Sequence, residues 1–210
     1  MLETHQDCEP QTKRRGRPRK FDRLIALERA LEIFWHQGYE PVTIANLCEA
    51  MEIKVPSLYA AFGSKANLFL EAVRHYEEVY WDAPWRRLEQ NPDVFQGIEA
   101  FFIEAAGILS SMGSPRGCMV ILGATNVAPG SFSVDATLKL LRRERENCLL
   151  RRVRRAAEDG QIPSDSDAVG IAAALNTLLE GMSVKARDGA SNAELAQIAK
   201  VPARVLRQPF

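Results

Sequence analysis

The chain has 210 residues, of which 46% are hydrophobic, and its 27 Lys+Arg balance 27 Asp+Glu. That is enough apolar material for a sizeable core, while no run approaches the roughly 20 apolar residues of a membrane span, so a soluble, cytoplasmic protein without membrane partners is expected. Cys8, Cys48, Cys118 and Cys148 lie far apart with no CxxC pair, and His5, His36 and His75 form no close cluster with other ligands, so neither a disulfide framework nor a metal or other cofactor is expected.

The zero net charge is unevenly distributed. Six of the eight residues from Lys13 to Lys20 (KRRGRPRK) are Lys or Arg. Residues 1–20, polar, charged and proline-containing, read as a flexible basic arm. Leu24, Leu27, Ala30, Leu31 and Phe34 then recur at helical spacing and form one apolar stripe. Thr43 is a good N-cap, and Ile44, Leu47, Cys48 and Met51 continue the helical period behind it. Ile53 leads into a second short helix with Pro56 in its first turn, Leu58, Ala61 and Phe62 facing inward, and Gly63 as its stop. Ser64 caps the next helix. Two helices this short cannot bury their own faces, so the stripe from Leu24 to Phe34 must complete their core. The motif, residues 43–62, has the layout of a helix-turn-helix.

Ala66, Phe69, Leu70, Val73, Tyr76 and Tyr80 mark a fourth helix, which Pro84 should interrupt near Trp81. From Val94 to Met112 a helix is apolar over most of its circumference, which marks it as buried. Residues 113–117 form a loop. Residues 118–127 are a short apolar stretch that periodicity alone leaves open between helix and strand. A long charged helix follows from Val134 to Ala157, another from Ser164 to Ala186, and a last one begins near Ser191 and is bent or ended by Pro202. The class is all-α.

The stretch ALERALEIFWHQGYEPVTIANLCEAMEIKVPSLYAAFGSKANLF resembles the N-terminal domain of the TetR (tetracycline repressor) family of transcriptional regulators. The resemblance rests on Gly38-Tyr39 at a helix end, the capping Thr43, the pair Leu58-Tyr59, Phe62, and Ser64-Lys65. Glu52 departs from it where the turn commonly has glycine, and Lys54 where the second helix often has a Ser or Thr cap. Glu52 must then carry a left-handed backbone, which costs a non-glycine residue on the order of 1 kcal/mol.

The resemblance implies an N-terminal three-helix DNA-binding domain (residues 21–66), a connecting helix (67–83) and a C-terminal helical domain (84–210) for effector binding and dimerisation. It also favours helix for residues 118–127. It implies a homodimer on a palindromic double-stranded DNA operator and a small-molecule effector of unknown identity, hence a ligand-released repressor. Thr43, Tyr59 and Lys65 would contact the DNA backbone. In the helix-turn-helix docking mode Lys54, Val55, Pro56, Ser57, Tyr59 and Ala60 face the major groove. This set has no Arg, Asn or Gln for bidentate base contacts. Arg14, Arg15, Arg17 and Arg19 supply the cations a narrow minor groove attracts.

Phe101, Phe102, Ala105, Leu109, Met112, Met119, Leu122 and Asn126 are the candidate effector contacts. Cys118, after Arg116-Gly117 and before a prospective helix, is the candidate redox thiol. The run from Arg142 to Arg155 reads as a solvated helix face. Ala168, Ala172, Leu175, Leu179, Leu195 and Ile198 are the candidate dimer contacts. An activator of the same fold, or a carrier or enzyme built on the helical domain, are the alternatives. Against an enzyme, the sequence has no Gly-rich phosphate loop, nucleophile elbow or metal-spaced His/Cys set.

Overall fold

A computed structural model describes residues 22–111, 117–123, 127–128 and 130–207, and no described residue lies in a strand. The basic arm, with Arg14, Arg15, Arg17 and Arg19, and the candidate contacts Met112 and Asn126 lie outside the described residues.

α1 (Arg23–Gln37) starts where the Asp22 carboxylate accepts the backbone N–H groups of Leu24 and Ile25, and it stops at Gly38, whose φ of 81° suits glycine. Ala26, Leu27, Ala30, Leu31 and Phe34 are buried; Leu24, expected in this stripe, is 53% exposed. Arg23 already meets Glu71 at 2.6 Å, so it is the side of α1 on which Leu24 lies, not the start of the helix, that leaves it exposed, and Ala26 is buried instead. α2 (Ile44–Ala50) and α3 (Val55–Phe62) close the head by burying Leu47, Leu58 and Phe62. Each such side chain contributes about 1.5–3 kcal/mol when fully buried. Phe34 meets Phe69 edge to face at 5.0 Å, tying the head to α4 (Lys65–Tyr76).

The interruption expected near Trp81 is a π-helical turn, Glu77–Trp81, after which the chain continues as α5 (Asp82–Gln90). Pro84 sits in the first turn of α5. The widened turn falls just before the position where proline removes a helical hydrogen bond and would crowd a preceding carbonyl.

α6 (Val94–Ser110) is the buried helix of the body and packs against α5, then α8 (Phe132–Glu158), α9 (Ala168–Arg187), α10 (Asn192–Ala199) and α11 (Val201–Leu206). Of the stretch 118–127, for which the family resemblance favours helix, Met119–Leu122 forms the short α7, Cys118 and Val127 are not helical, and residues 124–126 lie outside the described residues. Ser191 opens α10 with a capping box to Glu194, and Pro202 sits at the start of α11. The last helix is therefore divided at Lys200 rather than ended.

Candidate nucleic-acid interface

The surface of α3 follows from what the helix buries. With Leu58 and Phe62 turned into the head, Lys54, Val55, Pro56, Tyr59 and Ala60 are exposed and Ser57 is half-buried. Val55 is 44% and Tyr59 47% exposed, so the helix presents an apolar and an aromatic side chain to solvent. Lys54 precedes the helix and makes no side-chain cap hydrogen bond, so its ammonium is not tied to the helix end.

The turn before α3 carries the strain that sequence reasoning placed there. Glu52 has φ 54°, and its carboxylate pairs with Arg29 at 3.1 Å in an exposed ion pair of little energetic weight.

Thr43 caps α2 through a reciprocal arrangement with Asn46. The Thr43 hydroxyl accepts the Asn46 N–H at 3.1 Å, and Asn46 Oδ1 accepts the Thr43 N–H at 3.0 Å. Asn46 was not anticipated; a side-chain acceptor three residues after a Thr cap was the available signal. Thr43→Ala is expected to lower stability by about 1 kcal/mol in chemical denaturation, with Thr43→Ser close to wild type.

Lys65, expected on the DNA backbone, is engaged within the chain. Its Nζ donates to the Glu40 carbonyl at 3.2 Å and lies 4.3 Å from the centre of the Tyr39 ring. Burial pulls the Lys65 pKa down, with the Glu40 carboxylate opposing. The Glu40 carboxylate accepts from the Ser131 hydroxyl at 2.7 Å and the Ala128 N–H at 2.8 Å, and these bonds hold it below its ordinary range. Glu40 thus joins the head to the segment entering α8.

A second junction runs through Gly117 and Cys118. Trp35 Nε1, on α1, donates to the Gly117 carbonyl at 2.8 Å in a buried contact. The Cys118 N–H donates to Ser183 Oγ of α9 at 2.8 Å. Arg145 Nη1, from α8, donates to Cys118 Sγ at 3.1 Å, and its Nη2 donates to Glu77 Oε1 at 2.5 Å. The Tyr76 oxygen accepts Trp81 Nε1 at 2.9 Å, and Cys118 interacts with the phenol electrostatically. Desolvation pushes the Tyr76 pKa up, and interaction with Cys118 adds to this, so the phenol keeps its proton. Burial opposes the Arg145 charge, but Cys118, Glu77 and Tyr76 outweigh it and the net effect holds the guanidinium protonated.

Arg145 corrects the reading of α8 as a solvated face. Arg145 and Arg152 are 4% and 1% exposed. Their sevenfold spacing places both on the stripe that buries Leu138, Leu149 and Val153, a pattern visible in the sequence once the charges are not presumed outward. The cation beside Cys118 is therefore Arg145. Arg116, proposed for that role, lies outside the described residues, and four-residue α7 is too short to offer a significant dipole.

Among the expected effector contacts, Phe102, Ala105 and Leu109 are fully enclosed, Met119 is 2% exposed and Leu122 is half-buried. Phe101 lines a cavity of about 300 Å³ with Pro84, Leu88 and Gly97. Among the expected dimer contacts, Ala172, Leu175, Leu179 and Leu195 are buried by their own chain, because the larger apolar groups of α9 and α10 turn toward the body. Ala168 and Ile198 are half-buried. The opposite side of α9 is open: Val169 and Val184 are 56% and 47% exposed, and a shallow groove of about 430 Å³ is lined by Ala174, Thr177, Leu178, Gly181 and Ile198.

A three-helix head with an exposed second motif helix, carried on a helical body, defines a helix-turn-helix DNA-binding protein. The family model for bacterial regulatory proteins of the tetR family matches residues 26–72. The HTH-type transcriptional repressor ComR of Escherichia coli K12 is 34% identical over 194 residues, covering 92% of each chain. The repressor BdcR of the same organism is 28% identical over 192 residues, covering 91% of this chain and 92% of that one. A double cysteine mutant of the TetR family regulator CifR, solved with 26-base-pair double-stranded operator DNA, shares 38% identity and a TM-score of 0.85, covering 92% of this chain and all of that one. The chain belongs to the TetR family of transcriptional regulators. No helix among the described residues is long and apolar enough to cross a membrane.

Proposed function

We propose that the protein is a cytoplasmic dimeric repressor that binds a palindromic operator and leaves it when a small molecule engages the body. The observation that carries this reading is the solvent-facing α3 surface of Lys54, Val55, Pro56, Tyr59 and Ala60, on a chain 38% identical to a regulator solved on its operator. Residues 1–20 serve as the arm, 21–66 as the reading head, 67–83 as the connector and 84–210 as the effector-binding and dimerisation unit, with regulation rather than catalysis as the task. Thr43 and Tyr59 meet phosphates. Lys65 joins them when its contact with the Glu40 carbonyl opens. Phe101 and its cavity are the effector contact to probe first.

The dimer face is the small-residue side of α9 with Ile198, where close helix approach is sterically open. Two heads then bind two half-sites, multiplying the modest readout of each. Leu178→Glu is expected to give a monomer in sedimentation and to weaken operator binding by at least about 100-fold, since a charge in a desolvated interface core is strongly disfavoured. An unchanged dimer would place the two-fold elsewhere.

The test of function is selection of binding sites from random DNA, followed by transcription in vitro from a promoter carrying the selected site. Enrichment of one palindrome and lowered transcription support the proposal. Uniform affinity for random DNA would refute sequence-specific regulation, and raised transcription would make the protein an activator.

A further inference from the structure

We propose that Glu40 is a positioning residue through which the body holds Lys65 away from the DNA, so that the entrance to α8 sets how tightly the head binds its operator. The inference rests on the reading of the protein as a DNA-binding regulator and deepens it.

Glu40 is engaged through its backbone and its side chain at once. Its carbonyl accepts Lys65 Nζ at 3.2 Å, within the head, while its carboxylate accepts the Ser131 hydroxyl at 2.7 Å and the Ala128 N–H at 2.8 Å, both from the body. The two groups do not swing independently. Pro41 follows, and a residue before proline is pushed to extended backbone, which sets the direction of the Glu40 carbonyl relative to its side chain. On the other side Tyr39 packs against Phe34 and Phe69, with ring centres 6.3 and 5.0 Å away, and the Lys65 ammonium rests over the Tyr39 ring at 4.3 Å. Lys65 therefore sits in a half-buried socket with an aromatic floor and a carbonyl wall, and the wall is pinned from the body.

Ser131 bears the same reading from the side of α8. It occupies the N-cap position, yet its side chain makes no cap hydrogen bond to the helix. A serine there ordinarily accepts from the first-turn N–H groups. Here its hydroxyl is turned to the head, and the Glu40 carboxylate brings negative charge to the start of a 27-residue helix, where the dipole favours it. The Ser131 and Ala128 hydrogen bonds hold Glu40 below its ordinary range, so the contact is made by the charged form.

The consequence for DNA binding lies at Lys65. Its start-of-helix position on α4 suits a phosphate contact, but the ammonium must leave the Glu40 carbonyl to make one. While Ser131 and Ala128 grip the carboxylate, the carbonyl stays in place and Lys65 stays with it. Release of that grip lets residues 39–41 shift and gives the operator one more cation per subunit. Displacement of the start of α8 by a ligand in the body would thus reach the DNA surface without passing through α3.

The experiment measures binding of full-length variants to the selected operator at several salt concentrations. Glu40→Asp keeps the charge but is one methylene too short to reach both body donors, and Glu40→Ala removes the grip and the charge together. Both are expected to bind about 10-fold more tightly, within the usual range of coupling between sites, with a slope of log K against log salt steeper by about 2 for a dimer. Glu40→Gln loses the charge but can still accept both hydrogen bonds, so it should stay close to wild type. In a Lys65→Ala background the Asp and Ala substitutions should change neither affinity nor slope. Unchanged or weaker binding by Glu40→Asp, a gain in Glu40→Gln equal to that in Glu40→Ala, or a gain that survives Lys65→Ala would each overturn the proposal. Any of these with operator preference intact leaves the regulator standing, whereas wild-type protein with no operator preference overturns the regulator itself.

Discussion

Arg145→Ala is expected to destabilise the protein by about 3–5 kcal/mol in urea denaturation, because it removes one partner of a buried ion pair and leaves the other uncompensated. Arg145 and Glu77 side chains are 4% and 16% exposed, so water screens the pair little. The guanidinium also lies 4.8 Å from the centre of the Trp81 ring and donates to Cys118. A loss of that size is a large fraction of the 5–15 kcal/mol that typically separates native from unfolded protein. Arg145→Met with Glu77→Gln should recover much of it, since an apolar side chain and a neutral amide carry no buried charge. A change below about 1 kcal/mol for Arg145→Ala would show that the pair behaves like a surface ion pair.

The same site has a pH signature. Desolvation raises the Glu77 pKa, and the partly compensating attraction of Arg145 does not cancel it. The folded chain therefore holds the Glu77 proton to higher pH than the unfolded chain does. This contribution to stability is full below the unfolded carboxylate range and is lost as pH rises through the folded value. Glu77→Gln should flatten that part of the pH profile, and a profile unchanged by the substitution would contradict the sign.

The head was legible because its information is local. A Thr cap, a glycine stop, a proline in a first turn and three-to-four spacing act within a few residues, and they set the outward face of α3 and the strained φ at Glu52. The body was less so, since its decisive contacts join distant segments. Arg145 reaches Cys118 across 27 residues and Glu77 across 68, and nothing near Cys118 in sequence announces either. Size also misled the choice of a dimer face. Leu175 and Leu179 belong to the body's own core, while Ala174 and Gly181 are left to solvent. An amphipathic helix shows which side is apolar; which of two apolar sides a single chain consumes depends on the packing of α8 and α6.

Deleting residues 1–19 is expected to weaken operator binding more than Lys54→Ala does, and to alter its salt dependence. α3 offers Lys54 as its one charged group facing outward, beside Val55, Pro56, Tyr59 and Ala60, which pack or hydrogen-bond but do not read guanine or adenine in bidentate fashion. The segment from Lys13 to Lys20 carries six Lys or Arg residues. Each phosphate contact removed should make the slope of log K against log salt shallower by about 0.9, so losing several on each of two subunits should change it by several units. Lys54→Ala removes one such contact per subunit and changes the slope by about 2 for a dimer. Selectivity should follow the same ranking if Arg14, Arg15, Arg17 and Arg19 sense a narrow A·T-rich minor groove: replacing A·T pairs beside the half-sites with G·C should weaken the full chain and leave the truncated chain nearly indifferent. Titrations at several salt concentrations on both operators measure each term. Equal slopes for full and truncated chains would show that the arm does not touch DNA, and a larger loss of selectivity from Lys54→Ala would return base reading to α3.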